Sequence, residues 1–230
     1  MSIAVVLSRG LAGLDAPPVT VEVHLAGGLP AFNLVGLPDT EVREARDRVR
    51  AALATAGFDF PARKVTVNLA PAGLPEESGR YDLPIALGVL AATGQVPSPR
   101  LADTEFAGEL ALTGALRPIR GALPMALSVH RDGRAFVLPA ASAGEAALVR
   151  GARVLPADSL LAVCAHLTGR RPLPGAAAPV LDAVGAAVAT AGDLADVVPL
   201  RPVRGGVGLQ HRGGQRPHRV PNMASQEPVP

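Results

Sequence analysis

Residues 83–92, LPIALGVLAA, carry no polar side chain. A helix that is apolar on every side has no face to offer water, so this segment must lie in the middle of whatever the chain builds. Just upstream, residues 65–69 (VTVNL) form a short β-branched run broken only by Asn68, which reads as a buried strand. Residues 71–81, PAGLPEESGRY, join the two. Asp82 fits the N-cap of the helix, and Pro84 fits its first turn, where a backbone N–H has no partner in any case. A Pro/Gly loop of this length is more often functional than incidental. It also ends at a helix N-terminus, where the unpaired N–H groups and the dipole favour anions or a reacting group. The strand, loop and helix are therefore the first place to look for a site.

The remaining pattern is that of an α/β protein. Residues 3–7 read as a strand. Residues 19–25 (VTVEVHL) alternate apolar and polar side chains as a half-buried strand does, with His24 on the polar side as a solvated or structurally bonded histidine. Gly27-Gly28 marks a turn and residues 31–35 a further strand, which together suggest a hairpin. Pro38-Asp39-Thr40 opens a helix whose apolar stripe is Val42, Ala45, Val49, Ala52, Leu53 and Ala56, closed by Gly57. Its other face carries Arg43, Arg46, Arg48 and Arg50 among Glu41, Glu44 and Asp47, the pattern of a solvated face laced with ion pairs, with a phosphate-binding face as the sharper alternative. Further on, strands over 106–112 and 116–119 flank Thr113-Gly114. A helix over 121–130, a strand over 135–138, a helix from Ser142 or Gly144 to 149, a strand over 153–155 and a helix over 159–167 follow. This alternation predicts a mixed sheet, antiparallel first and partly parallel later, covered by helices on at least one face.

Composition limits the function classes. Aromatic residues are only 3% of the chain, with no Trp and Tyr81 as the one tyrosine, so the core must come from Ala, Val and Leu. The net charge of +2 hides an asymmetry: the segment from Arg201 onward carries +4, and residues 1–200 carry −2. Bulk charge thus gives the body of the chain no case for nucleic-acid binding. The single cysteine, Cys164, excludes an internal disulfide and a cysteine zinc cluster, and its setting in LLAVCAHL is that of a buried core thiol. No secretory signal is expected, since MSIAVVLSRG lacks a basic n-region, and no run has the length of a membrane span, so a cytoplasmic chain is expected.

Catalytic constellations are missing. There is no GxxxxGK[ST], no GxGxxG between a strand and a helix, and no His, Asp or Glu cluster at metal spacing. Adjacent Glu76 and Glu77 do not form a carboxylate pair. No catalytic, cofactor-binding or metal-binding residue is assigned. One enzymatic alternative stays open: Ser78 with Lys64, the only lysine, as a peptidase or amidase pair.

Three stretches carry a resemblance. VTVEVHLAGGLPAFNLVGLPDTEVREARDRVRAAL, FPARKVTVNLAPAGLPEESGRYDLPIALGVLAATGQV and FAGELALTGALRPIRGALPMAL are similar to the N-terminal region of the ComM/YifB family, relatives of the magnesium-chelatase ATPase subunit. The resemblance runs from about residue 1 to 172. It implies a Lon-protease-like α/β domain of the ribosomal-protein domain-2-like fold, standing before an AAA+ ATPase module. ComM-type proteins are ring-forming, ATP-driven DNA motors that promote branch migration during natural transformation, so DNA and a homo-oligomeric ring are the implied partners, and ATP with Mg²⁺ the implied cofactors of a full-length member. In Lon proteases the loop before the core helix holds a serine and a later helix a lysine. Here GRYDL puts Tyr81 at or next to the serine position, and RGALPMAL puts Met125 near the lysine position. Neither pairing yields a nucleophile with an adjacent proton acceptor, which implies a protease scaffold without protease chemistry.

The resemblance implies a Lon-like domain over 1–170; composition then shifts, reading as a Pro/Ala-rich linker over 171–197 and a basic, disordered tail over 198–230. GDLADV at 192–197 matches the family before the pattern is lost, so the expectation is a frameshifted or truncated product with its tail out of frame and no ATPase module. The alternatives are a genuine short form whose tail binds nucleic acid by charge, and a non-functional remnant. Candidate contact residues are Arg80 and Tyr81 in the loop and Arg43, Arg46 and Arg50 on the first helix.

Overall fold

The computed structural model describes residues 2–36, 39–71, 78–97 and 99–176. The middle of the Pro/Gly loop, most of the linker and all of the tail lie outside the described residues.

Residues 82–92 are the helix that the apolar run requires. This helix, α2 (Asp82–Ala92), is buried at all its positions except Ala91. It lies on a seven-stranded sheet made of β1 (Ser2–Arg9), β2 (Pro18–Ala26), β3 (Ala31–Val35), β4 (Lys64–Ala70), β5 (Thr104–Phe106), β8 (Ala135–Pro139) and β9 (Arg153–Ala157). The order across the sheet is β3-β4-β2-β1-β5-β8-β9. β1 and β4 pair antiparallel with β2, and the other four pairings are parallel. A separate hairpin joins β6 (Glu109–Leu110) to β7 (Leu116–Arg117). The other helices are α1 (Asp39–Thr55), α3 (Ala122–Arg131), α4 (Ala140–Ala146) and α5 (Leu160–Leu167). Gly57 and Gly169 follow α1 and α5 with φ of 79° and 76°, the left-handed conformation that ends a helix without strain only in glycine.

Two apolar clusters hold the layers together. On one face α1, α2 and α5 pack on Val21, Val23, Val65, Val67 and Val137. On the other face α3 and α4 pack on Phe136, Leu138 and Val154. This second cover stops short of β1, whose Ile3 and Val5 are 68% and 46% exposed. The α2–β2 approach is close: a Cβ at Gly88 would fall 2.4 Å from Val23 Cγ2. At the seam between β1 and β5, buried Arg9 holds buried Glu105 through Nε at 2.6 Å and Nη2 at 2.8 Å, and also pairs with Asp132; Arg134 reaches Glu105 at 3.0 Å.

Four local expectations are corrected. Gly27-Gly28 does reverse the chain, but β2 and β3 form no hairpin, because β4 lies between them and bonds to both. A turn signal fixes where the chain turns, and β4 has the alternation to serve two neighbours. The single strand expected over 106–112 is two: Phe106 ends β5 in the main sheet, and Glu109 starts the hairpin. The helix expected from Ser142 or Gly144 to 149 starts at Ala140, straight after Pro139, and ends at Ala146. Asp82 is not an N-cap: it lies inside the first turn, Tyr81 holds the cap position without a side-chain bond, and the Asp82 carboxylate is engaged elsewhere.

Candidate functional site

The start of α2 holds two buried charged side chains, Arg80 and Asp82, beside the buried Tyr81. Asp82 is fully buried and takes a two-pronged grip from Arg48 of α1, with Nε to Oδ2 at 2.6 Å and Nη2 to Oδ1 at 3.3 Å. The Leu110 N–H donates to Asp82 Oδ2 at 3.1 Å. Arg48 also reaches Glu44, one turn back, at 3.3 Å. Burial pushes the Asp82 carboxyl up to about 7, against the pull of Arg48 and the Leu110 N–H. The carboxylate thus ties α1, α2 and the β6–β7 hairpin to one point.

The backbone repeats the tie. The Gly108 N–H donates to the Arg80 carbonyl at 2.8 Å, and the Leu83 N–H donates to the Gly108 carbonyl at 3.0 Å. The lack of a side chain at Gly79 makes room for Glu109, whose Oε2 would lie 2.7 Å from a Cβ there. Tyr81 is 1% exposed, and burial pushes its hydroxyl up to about 12, with Arg80 pulling down and Glu41 adding to the rise. Arg80 is 4% exposed and sets Nη1 3.6 Å from the sulfur of Met125 in α3. Among the described residues, Glu41 Oε2 and Ser8 Oγ are buried without a hydrogen-bond partner.

GRYDL and RGALPMAL are therefore brought together, through Arg80 and Met125. What meets there is a guanidinium and a thioether, with a phenol and an ion pair beside them. None of these is a nucleophile with a proton acceptor within reach. Arg80 and Tyr81, expected as contact residues, face the interior. The Ser78–Lys64 alternative is not assembled. Ser78 stands in the turn Ser78–Tyr81 ahead of α2, while Lys64 opens β4 at the end of the sheet where α2 finishes. That end is marked by Ser2, whose hydroxyl donates to the Ala92 carbonyl at 2.8 Å and whose strand position pairs with Leu25, itself opposite Val65. The eleven-residue helix α2 alone separates the two by roughly 16 Å.

Arg43, Arg46 and Arg50 recur at helical spacing on one face of α1. Arg46 pairs with Asp47 at 3.0 Å. Arg46 and Arg50 also line a cleft of about 510 Å³ between α1, the start of β3 and the approach to β4. Phe60 stands under Arg50, whose guanidinium carbon is 5.0 Å from the ring centre, and Phe32 lies 6.0 Å from Phe60. Phe32, Phe60 and Arg63 were not singled out from the sequence, and Arg48, read as part of the solvated face of α1, instead grips buried Asp82. For Arg48 a signal existed: it flanks the Ala45–Val49–Ala52 stripe, so it could not be wholly solvated. Cys164 is buried as expected, and burial pushes its thiol up to about 12. Among the described residues, no group of three or more His, Cys, Asp or Glu could hold a metal, and no helix is long and apolar enough to cross a membrane.

Comparison with known proteins agrees with the resemblance. The chain is 45% identical to YifB of Escherichia coli (strain K12) over 218 residues, covering 93% of this chain and 42% of that one. It is 49% identical to competence protein ComM of Haemophilus influenzae over 174 residues, covering 76% of this chain and 34% of that one. The chain thus spans less than half the length of these curated relatives. Residues 21–142, which run from β2 through the α2 junction to α4, match the family described as subunit ChlI of Mg-chelatase, and the chain belongs to that family.

Proposed function

We propose that this chain supplies the non-catalytic, Lon-protease-like N-terminal domain of a ComM/YifB-type protein, working with DNA during competence. Its task is binding and arrangement: presenting DNA to a ring, or ordering subunits in it, with ATP and Mg²⁺ handled by an AAA+ module beyond this domain. The cytoplasm is the compartment that this work requires. The observation that carries the reading is the junction at the head of α2. Tyr81, which the resemblance puts at or next to a hydrolase's serine position, and Met125, which it puts near the lysine position, are both buried there, with Arg48 gripping Asp82 and Arg80 set against Met125. The likeness to a protein named for competence supports the biological setting.

Two measurements test this. Replacing the matching segment of Haemophilus influenzae ComM with this sequence should retain transformation; a folded, well-expressed chimera with no transformation would sink the proposed setting. A serine-reactive probe should leave the purified chain unlabelled, and stoichiometric labelling of Ser78 would overturn the non-catalytic assignment.

A further inference from the structure

The cleft between α1 and β3 shares no lining residue with the α2 junction and has a composition of its own. Arg46 and Arg50 project into it from successive turns of α1, and Arg63 faces them from the approach to β4. Arg50 and Arg63 have no carboxylate partner among the described residues, and Asp47 is the one acid in the lining. Phe32 and Phe60 add two aromatic rings, only partly buried, in a chain where such residues are scarce. Guanidinium groups bind phosphate, and flat rings take the face of a base. A second cleft of about 250 Å³ adjoins the first, shares Pro61 and Arg63 with it, and runs on to Leu25 and Thr93. The two meet at Pro61 and Arg63 and form one continuous track, with Arg46 and Arg50 in its larger part and Arg63 common to both.

We infer that this track binds an unpaired nucleic-acid strand, with bases beside Phe32 and Phe60, where the Arg50 guanidinium already lies over the Phe60 ring and a base would share or displace it, and phosphates on Arg46, Arg50 and Arg63. The inference rests on the DNA-handling role proposed above and places its contact on this domain. Duplex DNA is the poorer ligand, because paired bases show their faces only at the ends. Lone nucleotides share the base–phosphate chemistry but fill only part of the track.

The test is fluorescence anisotropy of a labelled oligo(dT) of about 20 nucleotides with the full chain, across a salt series. Arg46→Ala/Arg50→Ala/Arg63→Ala should weaken binding at least about thirtyfold and flatten the log–log salt slope by about 2, as the loss of three single-strand phosphate contacts requires. Phe60→Leu, which keeps apolar volume while removing the ring, should weaken binding about tenfold at every salt concentration. Thermal melting of each variant separates lost binding from lost folding, and Arg117→Ala, on the hairpin, should bind as the parent does. A second variant changes the tail arginines at 201, 204, 212, 216 and 219 to Gln. If that variant loses the oligonucleotide while the triple variant keeps it, the track is refuted and the DNA role stands. If dTMP displaces the strand at equal nucleotide concentration, the site is a mononucleotide pocket and the strand assignment fails. If the chain binds no oligonucleotide at all, the inference falls, and the chimera remains the judge of the competence setting.

Discussion

The two halves of the sheet are built on different terms. In β5, β8 and β9 every neighbour is parallel, and β8 is buried at all five positions, since α2 and α5 cover one face and α3 and α4 the other. In β2 and β4, burial alternates residue by residue, because α1 and α2 cover only one face. A strand covered on both faces must be apolar throughout, whereas a strand covered on one face can place polar side chains outward. The half with the bare face also ends in the edge strand β3, where the Arg/Phe cleft lies. The covered half supplies rigidity, and the half-open one supplies accessible surface.

Substitution of neighbouring residues gives the largest expected contrast. On β8, Phe136→Ala should lower stability in urea by about 4 kcal/mol and Val137→Ala by about 2 kcal/mol, although the two side chains point to opposite faces. On β4, Val67→Ala should cost about 2 kcal/mol while adjacent Thr66→Ala changes stability by less than about 0.5 kcal/mol. Equal losses at Thr66 and Val67 would mean that the outer face is covered after all.

The seam between the halves comes next. Arg9→Ala leaves Glu105 buried with only Arg134 to balance it, and the expected loss is about 3 kcal/mol by urea melting. Arg9→Met combined with Glu105→Leu should recover most of that loss, because an apolar pair of similar volume avoids the unpaired charge. A double variant no better than the single one would show that the ion pair itself holds the two halves in register.

A smaller effect depends on pH. Asp82 keeps its proton up to about 7 in the folded chain and releases it near 3.8 once unfolded. Between those values the native state binds more protons than the unfolded one, so this group's contribution is full below about 4 and is lost as the pH rises through about 7. Asp132 works the other way: Arg9 holds its carboxyl below the usual range, so its contribution disappears as the pH falls below about 4. Melting temperature against pH should show the neutral-side decline flattened in Asp82→Asn and the acid-side decline flattened in Asp132→Asn. The smallest effect is expected at the half-open edge. Arg46→Ala should move stability by less than about 0.5 kcal/mol, since the Arg46–Asp47 pair is largely solvated.

Most of this was legible in the chain itself. The alternation in VTVEVHL marked β2 and its bare face, and the unbroken run LPIALGVLAA marked the central helix. The partner of a strand was harder to read. Gly27-Gly28 points β3 towards β2, yet its neighbour comes from more than thirty residues downstream. The same holds for Asp82: local rules place it as a cap, and Arg48, 34 residues away, takes its carboxylate instead. Arg80 and Tyr81, expected as contact residues, are buried instead, since nothing local says whether a polar side chain at a helix start turns inward. The Arg/Phe cleft was half visible, in the arginines of α1. Phe32 and Phe60 come to it only through tertiary folding.

One hydrogen atom decides where the head of α2 stands. At Gly88 any methyl group would collide with Val23, so every other residue would pry the helix up from the middle, like a pebble under a lever. The displacement would be felt most at the ends of the helix. The Arg48–Asp82 grip and the Arg80–Met125 contact would then shift without either being touched, so the alignment of the motif residues is set from about two turns further along the helix.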